Sequence, residues 1–596
     1  MVFKGKVSGT VATAETTVFT QIKWGKRLMA RIQSMPRGTH RSWTRAWPLV
    51  TLTFAALVFG SVFFDQDEAQ AQPAKAKTKT PPKVEYKPKS KSVPEANSLT
   101  KGKKVDSSAL AKLIDQEINK RLMAEKAKSA GLCDDAEFVR RVHLDLVGVI
   151  PSADAVTAFF ASKDPNKRAK LIDALLDDSR FGVHSAGQWA VVMVPRESNN
   201  KALNPRPLEK WLAENFNKNT PLDKLINDLI TTTGEIDKNP AGTYFVANPT
   251  VDKITDNVTR MFLGVQLQCA QCHNHPFTDW KQTEYWAMAA FFMKTRVNGT
   301  PQQAAKKGTV LAVNENNKAP NKKNALPESY KNVPAKFLQG DSPKLNSADP
   351  YRPTLANWMT SADNKFFARA MANRFWYQMF GRGIVNPVDD MHDDNAATHP
   401  ELLATLTEQL KLNGFDVKYL LRAICNSEVY QRSSVTVADA ATNDPELYGQ
   451  REMRVLSPEQ MYDSLSAILG AAAKGEAKDK AAKKGPQTPR DQFINFFRVD
   501  EGNPLEYQNG IPQALRIMNS AFTNRAEAIA ADLTKGTKTP SEAIEKIYLT
   551  SLSRRPTVAE MERLTTYVNR PGTTLRAGYG DILWALLNST EFVLNH

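Results

Sequence analysis

Residues 254–272 read ITDNVTRMFLGVQLQCAQC, and the spacing of their side chains decides the expected fold. Apolar residues and both cysteines recur every three or four positions, at Ile254, Val258, Met261, Val265, Cys269 and Cys272. Residues three and four apart are neighbours on a helix surface. The pattern therefore predicts one continuous α-helix that carries both cysteines on its apolar face.

The same periodicity recurs on both sides of this stretch, for example over residues 108–125 and 207–230 and again from about 352 to 434. By contrast, residues 296–350 are rich in Asn, Lys, Pro and Gly, which is typical of a linker. Short strands are expected there at GTVLAV (308–313) and AKFLQG (335–340). The sequence predicts a mainly α protein, with two helical domains joined by an irregular linker that holds a few short strands.

The N-terminal region has the features of an export signal. Five arginines precede an uncharged apolar run at residues 47–64, and Ala69 and Ala71 offer small residues at a cleavage site. Residues 1–71 are therefore predicted to be a cleaved signal or an uncleaved membrane anchor, which places the body in the periplasm or cell envelope. Any membrane contact is expected through this segment alone.

Four further boundaries follow from composition. Residues 72–105 are rich in Lys and Pro and are predicted to be a disordered spacer. A first helical domain is predicted over 106–295, followed by the linker at 296–350 and a second helical domain over 351–596. Residues 471–490 are a low-complexity insertion in that second domain.

The charge distribution argues against a nucleic-acid ligand. The chain has a formal net charge of +16, but residues 1–46 and 72–104 each contribute +8, and residues 105–596 carry only +3. A nearly balanced body lacks the basic surface that nucleic-acid binding requires. No nucleic-acid partner is predicted.

The candidate cofactor site is the C-x-x-C-H motif formed by Cys269, Cys272 and His273. This motif is the attachment signature of haem c, in which two thiols hold the porphyrin edge and the histidine binds the iron. Two other interpretations compete: a zinc site that also recruits His275, and a Cys269–Cys272 disulfide or a purely structural role. The sequence does not choose a sixth iron ligand from the candidates His143, His184, His392, His399, Met288 and Met293.

A second polar group lies at residues 386–403, NPVDDMHDDNAATHPELL. Its carboxylates and histidines suit a divalent cation or acid–base chemistry, although Asp-rich loops commonly satisfy backbone N–H groups. A buried structural ion pair is predicted between Arg374 and Asp389 or Asp390. Cys133 and Cys425 are expected to be buried thiols or one long-range bridge.

Several long motifs resemble a known pair of domains. Residues 257–292, together with FVRRVHLDLVGVIPSADAV (138–156), resemble the planctomycete cytochrome-c-like domain of unknown function, the second PSCyt type. The residues that match in the second stretch are Arg141, Leu144, Asp145, Leu146, Gly148 and Pro151. The stretch from Arg352, including LANWMTSADNKFFARAMANRFWYQMFGRGIVNPVDDM, resembles its companion PSD domain.

The resemblance implies an exported or envelope-associated protein of uncharacterised activity. Relatives often carry a further N-terminal haem domain, where this chain has its Lys/Pro spacer. Relatives are also often encoded beside secreted sulfatase-like proteins. The partners so implied are an envelope redox protein or secreted polysaccharide-processing proteins.

The sequence thus supports two main hypotheses and leaves enzymatic activity open. The first is an exported protein with one covalent haem c that serves electron transfer or redox chemistry. The second is a non-haem secreted binding or scaffold protein, whose C-x-x-C-H motif is a structural metal or disulfide site. A hydrolase that uses the Asp-rich loop is a third hypothesis.

Overall fold

The computed structural model describes residues 96–195, 203–316, 333–435, 444–469, 488–497 and 525–596, which all fall within one compact unit, Lys87–His596. The predicted signal or anchor, the spacer up to residue 95 and most of the predicted insertion at 471–490 lie outside the described residues. Among the helices that are described, none combines the length and apolar character needed to cross a membrane.

The described residues form 22 α-helices and five short strands, which confirms a mainly α fold. The first ten helices are α1 Ser107–Ala124, α2 Asp135–Val147, α3 Ala153–Ala161, α4 Lys167–Asp177, α5 Ser179–Met193, α6 Arg206–Asn217, α7 Leu222–Thr231, α8 Thr243–Ala247, α9 Val251–Leu263 and α10 Gln282–Ala289. The next seven are α11 Pro301–Lys307, α12 Arg352–Thr360, α13 Phe367–Phe380, α14 Pro400–Leu412, α15 Val417–Asn426, α16 Pro458–Leu469 and α17 Pro489–Phe497. The last five are α18 Ala526–Leu533, α19 Pro540–Leu552, α20 Val558–Val568, α21 Leu575–Leu587 and α22 Thr590–Val593.

The helices begin where side chains can satisfy the first free N–H groups. Asp106 accepts a hydrogen bond from the Ala109 N–H at 2.8 Å and so caps α1. Asp134 caps α2 in the same way, and Pro207 occupies the first turn of α6. Carboxylate caps and first-turn prolines are the expected signals of a helix start.

The predicted long helix through the cysteines is wrong. α9 ends at Leu263 because Gly264 adopts a left-handed conformation with φ 69°. The chain then forms a short 3₁₀ helix, Gln268–Gln271, which contains Cys269 and ends at Cys272. The apolar face of α9 therefore ends before both thiols. Val265 and Leu267, which follow the helix, are buried.

One small antiparallel sheet has the strand order β1-β3-β2, formed by β1 Gly234–Glu235, β2 Thr295–Asn298 and β3 Ala312–Glu315. The linker region contributes β3 and nearly all of β2, whereas β1 precedes it. The buried Val313 of β3 pairs with Gly234 on one side and Val297 on the other. The strand predicted at 308–313 is thus partly formed. The strand predicted at 335–340 is wrong, because the Gly340 N–H donates to the Phe337 carbonyl and closes a turn.

Helices from both sides of the linker share one hydrophobic core. This first core runs from Leu110 to Leu549. In it, α1 packs against α15, α7 against α12 and α9 against α13. A second core, between Leu456 and Phe592, also receives Leu144 and Ile150 from the region of α2. The predicted domain boundaries stay a prediction, while the packing itself joins the two helical regions.

The last residues of the predicted spacer contact α14. Thr100 is buried, and the Ser98 hydroxyl donates to Glu408 Oε2 at 2.5 Å. The Gly102 N–H donates to Glu408 Oε1 at 2.8 Å, and the Val105 N–H donates to Gln409 Oε1 at 3.0 Å. These contacts bind residues 98–105 to α14.

A buried carboxylate ties α2 to the end of the chain. Asp145 accepts hydrogen bonds from the Tyr430 hydroxyl at 2.8 Å, from Arg451 at 2.9 Å and from the Asn595 amide at 2.7 Å. Arg454 makes a second ion pair with it. Arg454 belongs to β4 Arg454–Val455 and Asn595 to β5 Leu594–Asn595, and these two strands pair antiparallel. Asp145 thus lies in ion-pair contact with two guanidinium groups.

Candidate functional site

The motif cysteines lie on an exposed turn. Cys269 and Cys272 are free thiols at the surface, whereas Leu267 before them and Ala270 between them are buried. The Gln271 carbonyl accepts hydrogen bonds from the indole N–H of Trp286 at 3.1 Å and from Gln282 at 3.0 Å. Buried apolar residues and α10 therefore fix the backbone of the turn and leave both thiols accessible.

His273 is held in the tautomer that suits a metal ligand. Its Nδ1 lies 2.7 Å from the Asn274 carbonyl oxygen. A carbonyl can only accept, so Nδ1 carries the hydrogen and the lone pair of the neutral ring is on Nε2. The side chain is exposed. His273 thus presents an unprotonated Nε2 to any group bound at the turn.

His275 has the opposite tautomer. Its Nδ1 accepts hydrogen bonds from the backbone N–H groups of Phe277 at 3.3 Å and Thr278 at 3.1 Å. The backbone N–H of His275 donates to the Trp280 carbonyl at 2.8 Å. The neutral ring therefore carries its hydrogen on Nε2. This arrangement makes His275 a closing residue of the turn at 275–280 and a poor ligand in its neutral form.

The structure brings the Asp-rich loop to the C-x-x-C-H turn. The Met391 N–H donates to the Gly264 carbonyl at 2.8 Å. Asp389 accepts from Gln266 at 3.5 Å and forms an ion pair with Arg260 at 3.5 Å. The two conspicuous polar groups of the sequence thus form one surface, which we call the turn–loop surface and define as residues 264–280 and 386–398.

Electrostatic interactions cross this surface. Burial is the main cause that lowers the pKa of His275, and the charges of His392 and His273 lower it further, while Asp390 opposes them. His392 Nε2 lies 3.7 Å from an Asp390 oxygen. Of the sixth-ligand candidates, His392 is therefore one that the structure brings close to the motif.

The other histidine candidates have contacts elsewhere. His143 Nδ1 lies 2.8 Å from the Val139 carbonyl, and His399 Nδ1 lies 3.1 Å from the Thr398 hydroxyl. Burial lowers the pKa of each of these two histidines to about 4. His184 lies beside Gln188 on α5, with 3.1 Å between their Nε2 atoms. The choice of a sixth ligand stays open.

Sequence reasoning missed a polar pair beneath the turn. Burial raises the pKa of Asp256 to about 7, and the nearby Tyr285 hydroxyl opposes this shift. Burial also raises the pKa of Tyr285, to which Asp256, Asp252 and Cys272 add. Asp256 is on α9 and Tyr285 on α10. A carboxyl group that changes charge near neutral pH thus lies close to the motif, and no sequence pattern marks it.

Two predictions about other residues are settled by contacts. Asp389 is the nearest carboxylate that acts on Arg374, but it pairs directly with Arg260, so the predicted Arg374 ion pair is wrong. Cys133 and Cys425 are separate buried thiols, and the bridge between them is not formed. Cys425 instead contacts the Met379 sulfur at 3.9 Å.

The surface provides donor atoms without an enclosure. Within the described part of the chain, no three His, Cys, Asp or Glu side chains are grouped closely enough to hold a metal ion. The large cleft of the molecule is lined by other residues. What the turn offers is two accessible thiols and one imidazole lone pair, the donor set for covalent haem attachment.

Comparison with known protein families places this surface between two domains. Residues 113–297 match PSCyt2, a protein of unknown function (DUF1549), and residues 351–495 match PSD1, a protein of unknown function (DUF1553). The chain therefore carries a PSCyt2 domain followed by a PSD1 domain. Neither a curated protein nor a solved structure matches the chain. The C-x-x-C-H turn belongs to the first domain and the Asp-rich loop to the second.

Proposed function

We propose that this chain is an exported protein that carries one covalent haem c on Cys269 and Cys272, with His273 as an iron ligand. It would serve electron transfer or a redox reaction in the cell envelope. The observation that supports this function most directly is the state of the turn: two free, exposed thiols beside an imidazole whose Nε2 lone pair is available.

The residues present fit the attachment chemistry. Cys269 and Cys272 would hold the haem through one thioether bond each, and His273 would bind its iron. Attachment of this kind would need reduced thiols, and both cysteines are free in the structure. The bound haem supplies a one-electron redox centre. The chain itself supplies the two attachment points and the nitrogen ligand.

The surrounding residues orient and tune the site. The hydrogen bond from His273 to the Asn274 carbonyl fixes the tautomer and the orientation of the ring. The turn is held by Trp286 and Gln282, so the spacing of the thiols does not depend on the exposed side chains. Asp389, Asp390 and His392 give the adjoining loop its charged groups, which are expected to influence the redox potential.

The central test is covalent haem loading. The full chain, with its N-terminal segment, is produced in a host that has cytochrome c maturation machinery. After denaturation we expect a pyridine haemochrome spectrum and a protein mass increased by one haem. Single Cys269→Ala and Cys272→Ala variants should lose one thioether each, and the double variant should show no adduct. Absence of the adduct in wild type, in cells that load a control cytochrome, would remove this function.

A matched pair of histidine variants tests the iron ligand. His273→Asn should change the absorption and ligand state of the haem. His275→Asn should leave them unchanged, because an Asn side chain can accept the same local backbone N–H groups as His275 does. An equal effect of the two substitutions would contradict the assignment of His273.

The rival function is a secreted binding or scaffold protein in which the motif is structural, with zinc or a disulfide. It is favoured by the exposure of the two thiols, which do not line the large cleft. Zinc analysis and thiol titration of the unloaded protein separate the two forms. Stoichiometric zinc that is lost in His273→Asn, or two thiols that appear only after reduction, would support the rival.

A further inference from the structure

A large cleft lies away from the turn–loop surface. Its volume is about 1350 Å³, and residues of α5, α6, α13, α16 and α17 line it, together with Asp145 of α2 and Gly148 after α2. Ligand sites in proteins typically have volumes of roughly 300–1,000 Å³. The cleft therefore has room for an organic molecule of substantial size, and the PSCyt2 and PSD1 segments both contribute to it.

Most arginines that line the cleft have a carboxylate partner. Arg206 pairs with Asp491 at 2.5 Å, Arg490 with Asp463 at 2.7 Å, and Arg180 with Asp178 at 2.6 Å. Arg454 pairs with Asp145. Each of these four side chains thus has a carboxylate within ion-pair distance inside the protein.

Arg374 differs from them. It lies in the middle of α13, only 5% of its surface is exposed, and it lines the cleft. Within the described chain, no carboxylate lies within ion-pair distance of its guanidinium, and its Nε has no hydrogen-bond acceptor. The carboxylate whose charge acts on Arg374 is Asp389, which is already paired with Arg260. Two guanidinium groups thus share one carboxylate.

This arrangement leaves one buried positive charge without compensation. Arginine stays protonated at all physiological pH values, so it cannot escape the cost of burial by losing its proton. A buried charge without a partner costs several kcal/mol. A guanidinium that lacks an acceptor, in the lining of an open cleft, is suited to receive one from a ligand.

We propose that the cleft binds an organic anion whose oxyanion group, a carboxylate or a phosphate-type group, is received by Arg374. The planar guanidinium fits both kinds of oxyanion through parallel N–H donors. The remaining volume accommodates the rest of the ligand. This inference is independent of haem, because the C-x-x-C-H residues do not line the cleft.

The test uses the full chain and two simple probes, inorganic phosphate and succinate, at constant ionic strength set with sodium chloride. Binding is measured by titration calorimetry, and thermal unfolding is followed by circular dichroism. We expect saturable binding and a raised Tm with at least one probe. Binding of phosphate alone would indicate a phosphate-type group, and binding of succinate alone would indicate a carboxylate. No saturable effect of either probe would overturn the proposal.

Two substitutions make the test specific. Arg374→Gln should weaken binding of the probe by about tenfold or more, because it removes a charge-assisted contact. Arg206→Gln is the matched control, since Arg206 lines the same cleft but is paired with Asp491, and it should retain binding. Equal weakening by both substitutions, or none by Arg374→Gln, would mean that the anions act on the general surface charge.

A third substitution should increase the effect of the probe on Tm, and it provides the test if Arg374→Gln does not fold. Asp389→Asn removes the carboxylate shared by Arg260 and Arg374. The variant should have a lower Tm than wild type in chloride and a larger rise of Tm with the probe. A rise no larger than that of wild type would contradict the role of Arg374 as an uncompensated charge.

Discussion

His273 and His275 are separated by one residue and have opposite hydrogen-bonding roles. The carbonyl of Asn274 fixes the hydrogen of His273 on Nδ1, whereas two backbone N–H groups fix that of His275 on Nε2. The motif in the sequence already favoured His273 over His275. The structure adds the physical reason, which depends on the backbone path at 274–280 and is not contained in the order of residue types.

Asp256 is the residue at which we expect the clearest pH effect. Burial raises its pKa in the folded state to about 7, well above the ordinary value of an aspartate. At pH values between the ordinary pKa of an aspartate and about 7, the folded state therefore binds more protons than the unfolded state. The free energy of unfolding falls as pH rises through this window. Asp256→Asn should be more stable than wild type at pH 8, by ~1–3 kcal/mol, and the gain should vanish near pH 4.

Urea unfolding at pH 4, 6 and 8 checks this expectation. Asp252→Asn, one turn earlier on α9, is the matched control and should not reproduce the pH dependence. If Asp256→Asn and wild type lost stability in parallel from pH 4 to pH 8, the carboxyl group would not be held protonated by its surroundings.

At the scale of elements, the periodicity of apolar residues predicted the helices well and one helix end poorly. Residues from Ile254 to Met261 are helical in the structure, and the same three- and four-residue spacing continues in the sequence to Cys272. Gly264 ends the helix, because a left-handed residue turns the chain away from the helix axis. The glycine at this position could have indicated the helix end, but the spacing of apolar residues carries no information about backbone conformation.

The contact between the turn and the Asp-rich loop was beyond sequence reasoning for a different reason. Gly264 and Met391 are far apart in the chain, and their hydrogen bond follows from the packing of α9 against α13. No local pattern encodes such a pairing. The residue types of both polar groups were recognised separately, whereas their common surface required the tertiary structure.

Gly264→Ala should destabilise the protein by ~1–2 kcal/mol, since an L-residue is strained in the left-handed region. A Cβ atom there would also lie 3.1 Å from the Met391 sulfur and 3.2 Å from Ala370. Urea unfolding at neutral pH provides the measurement.

The control is Gly187→Ala in α5, where a Cβ atom meets nothing within 4 Å. That substitution should be neutral or stabilising, because alanine is the better helix former. A Gly264→Ala variant as stable as Gly187→Ala would show that the end of α9 tolerates a side chain.

At the scale of the whole molecule, the two matched domains pack as one body in the described residues. Residues of both contribute to the first core, and Asp145 of the PSCyt2 domain binds Tyr430 and Arg451 of the PSD1 domain. The sequence indicated two helical regions and the linker between them. It did not indicate this integration, because charge pairs between distant segments leave no periodic signal.

Asp145→Asn should destabilise the protein by ~3–5 kcal/mol, because it leaves the buried Arg451 without its counter-charge. Thermal unfolding and soluble yield are the measurements. Asp173→Asn removes the exposed ion pair with Arg422 and should change stability by less than ~1 kcal/mol. If the two variants were equally stable, Asp145 would not have the central role assigned to it.

The attachment of Asn595 to Asp145 also constrains the order of folding. The carboxylate on α2 receives one of its donors from β5, some 450 residues later, and β5 pairs with β4. A chain emerging from the ribosome therefore cannot complete this region until synthesis has passed residue 595. Until then Asp145 lacks one of its buried hydrogen-bond donors, so this part of the fold is completed only at the end of synthesis.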